Sequence, residues 1–203
     1  MAMENFQKFF GLPVTGELDE DTMYEMTKPR CGDPDVDISG GRRKRYSLTG
    51  SNGGKPLSSI ISLTGRICHT LIKLESWKSF YIILFSSFGG KTHAGVPGER
   101  RCEVRFDGPR SIFGHGFFPS DGRIHFDEDD YFTETGTTTG WWFWAKESVS
   151  VLYVAVHEIG HALGLGHSNV RGSTMWPTGK TGTPRLTQDD ADAIRVLYGE
   201  CVF

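Results

Sequence analysis

The sequence lacks any apolar run of the roughly 18 residues that a membrane-spanning helix requires. Its most apolar stretch, FYIILF at Phe80–Phe85, has the length of a buried strand. An excess of one charge is also missing, because 22 basic and 25 acidic residues leave a formal net charge of -3. We therefore expect no membrane span and no binding to nucleic acid. No signal peptide is visible at the start, which indicates a fragment or an incomplete gene model.

Cysteine is scarce, with four residues at positions 31, 68, 102 and 201. A bridge between Cys102 and Cys201 is possible in a secreted protein, although spacing alone does not fix the pairing. The chain has 203 residues, of which 37% are hydrophobic and 12% aromatic. This is enough for one core of ordinary size and a short appended segment.

The most informative pattern present is HEIGHALGLGH, from His157 to His167. Residues four apart lie about 40° apart around a helix axis, so His157 and His161 point from one face toward a common metal. The preceding segment SVSVLYVAV is apolar and free of glycine and proline, and Ser148 or Ser150 can cap its start. The spacing therefore predicts a buried helix that carries two metal ligands.

A third ligand follows the predicted helix. Gly164 can take the positive φ that ends a helix, which allows His167 to approach the same metal from outside. Three neutral imidazoles leave zinc one open position for water, whose pKa falls to about 7. Glu158 lies between the ligands and is the natural base. The pattern predicts a hydrolytic zinc site.

Downstream, Met175 stands eight positions after His167 in the segment STMWP. Zinc peptidases with this long motif place a methionine in a tight turn beneath the metal, so the sequence resembles the metzincins. Taken alone, Met175 would be explained by simple core packing. Ser168, directly after the third histidine, is similar to the residue that matrix metalloproteinases have there.

The N-terminal part agrees with this resemblance. It reads FQKFFGLPVTGELDEDTMYEMTKPRCGDPDV, which is similar to the end of a matrix metalloproteinase propeptide and its cysteine-switch motif. A thiolate is a good zinc ligand, so Cys31 would occupy the open position and keep the chain latent as a zymogen. Asp33 departs from the family, which usually has Val or Asn there.

A dense basic run, Arg42-Arg43-Lys44-Arg45, follows the switch through a glycine-rich stretch. It resembles the processing site of a furin-like protease, and cleavage after Arg45 would release Cys31 and create a new N-terminus at Tyr46. The resemblance implies that this terminus pairs with Asp189. It also implies secretion, and protein or peptide substrates in the extracellular matrix.

A glycine- and carboxylate-rich region, from Phe106 to Phe132, resembles the structural metal loop of the family. Calcium prefers six to eight hard oxygen ligands, which such a loop supplies. The resemblance implies a Ca2+ site formed by Asp107, the carbonyls of Gly108, Arg110 and Ile112, and then Asp127 and Asp130. Asp130 stands where the family commonly has Glu.

The same region contains two histidines on alternating, strand-like stretches. His115 and His125 fall where the family has two ligands of a structural zinc ion. His93 is a third candidate, although the family's His-x-Asp pattern is absent around it. Glu99, Cys102 or Glu103 could complete the site.

The resemblance predicts an α+β, metzincin-like fold with a mixed twisted sheet, an active-site helix, a C-terminal helix and a short helical propeptide. Residues 1–45 would be the propeptide part and residues 46–203 the catalytic domain. Gly50 to Gly90 fits poorly, because a long amphipathic helix is hard to find there. An alternative hypothesis is therefore a catalytically silent, metal-binding extracellular module. The preferred prediction is a zinc-dependent endopeptidase.

Overall fold

Two helices open the chain, a series of short strands follows, and two further helices flank the last strand. The computed structural model describes residues 2–35, 46–48, 106, 108–119, 122–127, 129–136, 138–139, 146–179 and 182–198. The helices are α1 (Ala2–Phe10), α2 (Glu20–Met26), α3 (Val151–Ala162) and α4 (Gln188–Tyr198). The strands are β1 (Tyr46–Leu48), β2 (Gly114–Gly116), β3 (Ile124–Phe126), β4 (Phe132–Thr133), β5 (Thr138–Thr139), β6 (Lys146–Glu147), β7 (Val149–Ser150) and β8 (Leu165–Ser168). Helix and sheet are both present, which agrees with the predicted α+β class.

The described strands pair two by two. β1 runs antiparallel to β8, β2 to β3, and β5 to β6, whereas β4 and β7 are parallel. The mixture of directions agrees with the prediction, but within the described ranges the strands do not join into one sheet. Several predictions lie outside these ranges: the poorly matching Gly50 to Gly90 segment, the ligands His93 and Asp107, and the processing site at Arg45.

Helix α3 forms for the reasons that its sequence suggests. Ser150 is its N-cap, and the Ser150 hydroxyl accepts a hydrogen bond from the Tyr153 amide at 3.2 Å. The helix ends at Ala162, and Gly164 then adopts a φ of +98°. A side chain at Gly164 would be strained in that conformation, so glycine allows the chain to turn into β8. The predicted helix and its glycine stop are confirmed.

Two apolar clusters hold α3 against its neighbours. One consists of Val156, Ile159 and Leu163, and the second of Leu165, Met175 and Ala193. Ile194 of α4 packs against both clusters, so α4 covers the end of α3 and the start of β8. The Tyr198 hydroxyl also donates to the Leu163 carbonyl at 2.6 Å, which fixes α4 at the C-terminus of α3.

The two N-terminal helices are joined by Gln7, whose side chain is fully buried. Its amide nitrogen donates to the Thr15 hydroxyl at 2.8 Å and to the Thr22 hydroxyl at 3.0 Å, and its amide oxygen accepts from Gly16 N at 2.9 Å. Asp19 caps α2 by accepting from the Thr22 amide at 2.9 Å. These contacts make residues 2–26 a small folded unit.

This unit packs on Trp176 of the C-terminal part. The rings of Phe9 and Phe10 lie 6.2 and 5.2 Å from the Trp176 ring, centroid to centroid. The Arg171 guanidinium lies over the Trp176 ring, 5.1 Å from its centroid, and donates to the Phe10 carbonyl at 3.2 Å. Such aromatic and cation–π contacts fix the N-terminal unit on the outside of the segment that contains Met175.

None of the helices in the described ranges is both long and apolar enough to cross a membrane. The longest, α3, has 12 residues, against the roughly 20 that a span needs.

Candidate metal centre

Three histidine side chains converge at the buried end of α3. His157 and His161 come from adjacent turns of the helix, and His167 comes from β8 after the turn at Gly164. The Nε2 atom of His157 lies 3.1 Å from that of His161 and 3.2 Å from that of His167. All three side chains are at most 4% exposed. The structure therefore brings together the three residues that the sequence motif singled out.

The hydrogen bonds on the far side of each ring fix its tautomer. Nδ1 of His157 lies 2.7 Å from the Thr174 carbonyl, and Nδ1 of His161 lies 2.7 Å from the Leu165 carbonyl. A carbonyl only accepts, so these Nδ1 atoms carry the hydrogen. Nδ1 of His167 faces a carboxylate oxygen of Asp35 at 3.0 Å. Each Nε2 atom of a neutral ring is then a bare lone pair that points to the centre.

The rings are neutral at physiological pH. Burial lowers the pKa of His157 and of His161 to about 3, and that of His167 to about 4. Three lone pairs at such distances repel one another unless a cation lies between them. Ligand nitrogens of a tetrahedral zinc ion are about 3.4 Å apart, given Zn–N distances of about 2.1 Å. The donor set and its spacing therefore fit zinc.

Cys31 adds a fourth donor. Its Sγ atom is 3.4 Å from Nε2 of His161, close to the roughly 3.6 Å that separates sulfur and nitrogen ligands of zinc. The thiol and the three histidines form a group whose ligand atoms all lie within 4.8 Å of one another. Burial, and then the nearby Glu158 and Asp33, raise the pKa of this thiol, so a thiolate here needs a cation beside it.

The backbone around Cys31 lies as an extended strand between two walls. Arg30 forms a parallel bridge with Ile112 on one side and an antiparallel bridge with Thr178 on the other. The hydrogen bonds of this segment join Arg30 N to Ser111 O (2.8 Å), Phe113 N to Arg30 O (3.1 Å), Cys31 N to Pro177 O (2.9 Å), Gly179 N to Pro29 O (3.1 Å) and Gly32 N to Gly114 O (3.0 Å). The segment thus fills a groove that leads across the metal centre.

Glu158 faces the same centre from α3. Its side chain is 1% exposed, and its Oε2 atom lies 3.7 Å from the Cys31 sulfur. Burial, and then the charge of Asp33, raise the pKa of this carboxyl well above its usual range. A carboxyl that readily holds a proton next to a metal centre is suited to proton transfer.

Asp35 supports the site in a way that sequence reasoning missed. Its Oδ1 atom accepts from Nδ1 of His167 and also from the Arg30 guanidinium. Burial alone would raise its pKa, but the hydrogen bonds from His167 and Arg30 and the electrostatic interactions with both groups together outweigh burial and lower the pKa. A carboxylate behind a ligating histidine orients the ring and increases its basicity. The only signal in the sequence was that Asp35 belongs to the cysteine-switch motif.

Met175 lies under the helix that carries the histidines. It is 2% exposed, and its carbonyl accepts from the Ser168 amide at 2.9 Å. The thioether occupies the space where a side chain at Gly160 would be, because a Cβ atom built there would lie 2.2 Å from the Met175 sulfur. The glycine inside HEIGH therefore allows the methionine to approach the helix backbone.

We expect Gly160→Ala to lower the free energy of unfolding by up to about 2 kcal/mol. Helix propensity favours alanine over glycine by about 1 kcal/mol, but overpacking against Met175 costs about 1–3 kcal/mol. Urea denaturation measures the difference. In a Met175→Ala background the sulfur is gone, so the same change should become neutral or stabilising. If Gly160→Ala stabilises both backgrounds, the steric explanation is wrong.

Asp190 fixes the segment around Met175. It is buried and lies in the first turn of α4. Its carboxylate and Thr187 form the reciprocal hydrogen bonds of a capping box, with Thr187 N donating to Asp190 at 2.8 Å and Asp190 N to Thr187 at 3.4 Å. The same carboxylate accepts from the Ser173 hydroxyl at 2.6 Å and from the Thr174 amide at 3.0 Å. It therefore also holds the carbonyl of Thr174 in place behind His157.

Only part of the predicted calcium loop lies in the described ranges. Gly108 and Arg110 adopt positive φ values of 95° and 74°, which bend the loop sharply. The Arg110 amide donates to Asp130 at 2.7 Å, and Asp127 accepts from the Asp129 amide at 2.9 Å. Asp127 and Asp130 are 3% and 8% exposed. Two buried carboxylates next to a tightly turned backbone are a donor set that fits a hard cation.

The two histidines of the second predicted zinc site are also neighbours. His115 and His125 lie opposite each other in the β2–β3 pair, with Nε2 of His115 3.0 Å from Nδ1 of His125. Burial lowers the pKa of His115 to about 4, so it is neutral and able to bind metal. Among the described residues, no third ligand groups with this pair.

Strand β1 brings the predicted new terminus near its predicted partner. Tyr46 lies opposite Ser168 in the β1–β8 pair. The Ser168 hydroxyl in turn donates to Asp189 at 2.7 Å. Tyr46 and Asp189 are thus both neighbours of Ser168, directly after the third histidine.

Known proteins provide an independent comparison. The sequence pattern of the matrixin peptidase family matches residues 93–199, and that of a putative peptidoglycan-binding domain matches residues 1–26. The chain is 35% identical to human matrilysin (Homo sapiens), over 98% of this chain and 76% of that protein. It is 33% identical to metalloendoproteinase 1 of soybean (Glycine max), over 98% of this chain and 72% of that protein.

Longer relatives are similar as well. The chain is 34% identical to matrix metalloproteinase-25 of mouse (Mus musculus), and it covers 36% of that protein. The family match covers more than half of the chain and includes α3, β8, the Met175 segment and α4. Matrixins use zinc and calcium, which agrees with the donor sets described above. The chain therefore belongs to the matrixin family of zinc metalloendopeptidases.

Proposed function

We propose that this chain is a secreted zymogen of a zinc endopeptidase that cleaves peptide bonds of extracellular matrix proteins. Residues 1–45 are its inhibitory propeptide part, and residues 46–203 its catalytic domain. The observation that carries the proposal is the convergence of three neutral Nε2 lone pairs with the thiol of a distant N-terminal segment. A metal ion that the three histidines bind and the Cys31 thiolate covers would explain why the histidine cluster and the cysteine occur in one chain.

His157, His161 and His167 are the proposed zinc ligands, and Cys31 is the fourth ligand of the latent form. When bound, zinc supplies a Lewis acid that polarises the scissile carbonyl and activates water. Glu158 takes a proton from the attacking water and delivers it to the leaving amine. The Thr174 and Leu165 carbonyls hold two of the imidazoles in the tautomer that this chemistry needs.

The groove that holds Pro29–Gly32 is the proposed substrate site. Once the propeptide leaves, the backbone groups of the two walls that now pair with it would pair with a substrate, which would bind there as an extended strand. A small pocket next to Glu158 is lined by Phe113, Tyr153 and Val154. These apolar walls favour a substrate with an apolar side chain at the cleaved bond.

Activation would follow cleavage by a furin-like protease after Arg45. Cys31 and Asp35 would then leave with the propeptide, and the new ammonium group at Tyr46 would pair with Asp189. The neighbourhood of Tyr46, Ser168 and Asp189 supports this pairing.

Two further metal sites belong to the proposal as structural sites. His115 and His125 would bind a second zinc ion together with His93, and the contact between the first two supports this. The calcium ligands would be Asp107, Gly108, Arg110, Ile112, Asp127 and Asp130. Membership of a peptidase family favours an active enzyme over the alternative of a catalytically silent module.

We expect furin-treated protein to cleave a quenched peptide with an apolar residue after the cut bond. A chelator should abolish this activity, and added zinc should restore it, because three ligands hold the metal reversibly. Metal analysis of the same samples should give at least one bound zinc ion per chain.

The matched control for activation is Arg45→Ala, which should remain uncut and latent while it binds zinc equally well. Processed, folded and zinc-loaded protein without chelator-sensitive activity would contradict the proposed function and favour the silent module.

A further inference from the structure

Asp33 of the propeptide lies at the metal centre, although its position in the cysteine-switch motif usually has a neutral residue. Its Oδ2 atom is 3.4 Å from Nε2 of His161 and 3.7 Å from the Cys31 sulfur. Asp33, Cys31, His161 and Glu158 form a second group whose ligand atoms all lie within 4.8 Å of one another. The Asp33 side chain is 16% exposed, so water solvates it only partly.

The contact between Asp33 and His161 is not a hydrogen bond donated by the imidazole. Nδ1 of His161 donates to the Leu165 carbonyl, so Nε2 of this neutral ring has no hydrogen to offer Asp33. When Asp33 is ionised, its carboxylate oxygen and the ring nitrogen face each other as two lone pairs at 3.4 Å. Such a contact is favourable when both atoms face a shared cation.

The position of Asp33 is fixed by its backbone and by one hydrogen bond. Gly32 N donates to the Gly114 carbonyl at 3.0 Å, and a side chain at Gly32 would touch Ile112 at 3.0 Å. The Gly116 amide donates to Oδ2 of Asp33 at 3.3 Å. The carboxylate is thus held next to the thiol, on the side of the centre where His161 and Glu158 lie.

We propose that Asp33 is a second propeptide donor for the catalytic metal, which takes the open coordination position when the Cys31 thiolate is lost. Carboxylate oxygens are ordinary zinc ligands at about 2.0–2.2 Å, and zinc accepts a fifth ligand. A thiolate and a carboxylate would then hold the propeptide on the metal together. Loss or oxidation of the thiol alone would leave the chain latent. This inference rests on the proposed zinc site.

The test uses the uncut chain loaded with Co(II), whose d–d absorption reports the ligands of the metal. Acetohydroxamate, a small metal-binding molecule, is titrated into the parent, Cys31→Ala, Asp33→Asn and the double variant. Asparagine keeps an oxygen for the Gly116 hydrogen bond but removes the charge. Glu17→Gln, at an exposed propeptide position, is the matched control. Circular dichroism and thermal unfolding verify that each variant is folded.

We expect the parent, the control and Cys31→Ala to resist acetohydroxamate, and the double variant to bind it at least about tenfold more tightly than Cys31→Ala. Loss of Co(II) to a chelator should also be at least about tenfold faster in the double variant than in Cys31→Ala, because even the loss of an outer-shell partner lowers metal affinity about 10–100-fold. If Cys31→Ala and the double variant bind acetohydroxamate equally, Asp33 is only an acceptor for the thiol and the inference is wrong. If the folded parent takes up no Co(II), the proposed zinc site itself fails.

Discussion

Replacement of Glu158 by alanine is expected to leave zinc bound and to lower peptide cleavage by the processed enzyme roughly 10²–10⁴-fold. In the proposed activation Asp33 and Cys31 would leave with the propeptide, so Glu158 would be the member of the described metal-centre groups that remains to transfer protons. The zinc ligands do not depend on it, because the Thr174 and Leu165 carbonyls, which remain after processing, orient His157 and His161. Steady-state cleavage of a quenched peptide, together with zinc analysis, measures both parts of this expectation.

The control for this prediction is Glu134→Ala, which removes an exposed glutamate and should change neither zinc content nor rate. A Glu158→Ala enzyme that cleaves as fast as the parent would show that the assigned base is wrong. Loss of zinc together with activity would instead show that Glu158 is needed to maintain the metal site.

Replacement of Asp190 by alanine is expected to lower the free energy of unfolding by about 3 kcal/mol or more. The change leaves the buried donors of Ser173 and Thr174 and the half-buried amide of Thr187 without their acceptor, and each such loss costs about 1–3 kcal/mol. It also releases the segment whose Thr174 carbonyl orients His157. Zinc should therefore dissociate faster. A metallochromic chelator measures the rate of zinc release, and urea denaturation measures the stability.

Asp192→Ala is the matched control on the same helix. Asp192 is 50% exposed and pairs with Arg195 at 2.8 Å, and exposed pairs contribute at most about 1 kcal/mol. The two variants should therefore differ clearly in the urea midpoint. Equal midpoints would mean that the hydrogen bonds around Met175 do not stabilise the fold.

The parts that could be predicted from the sequence are those that depend on near neighbours along the chain. Helix α3 with its Ser150 cap, the positive φ of Gly164, and the capping box of Thr187 and Asp190 each involve residues no more than four apart. The spacing of His157 and His161 is likewise a property of one helix. Local geometry determines these features, so the residue pattern is sufficient to find them.

The parts that sequence reasoning missed join distant positions. The bond between Asp35 and His167 spans 132 residues, and that between Arg171 and Phe10 spans 161. Only the docking of the propeptide creates these contacts, and no periodicity in the sequence encodes that docking. Met175 is an intermediate case, because its offset from His167 suggested its location but not that Gly160 makes room for it.

The bond between Asp35 and His167 has a thermodynamic consequence for the order of maturation. In the proposed zymogen, Cys31 would supply one direct ligand and Asp35 one supporting carboxylate, so the propeptide would raise metal affinity as well as block the site. Such coupling is reciprocal: metal binding strengthens propeptide binding by the same factor. A chain that acquires its zinc before it is cut would thus fold with a high metal affinity, and removal of the propeptide would leave a site with a lower affinity. The propeptide would therefore help the catalytic site to acquire its zinc ion.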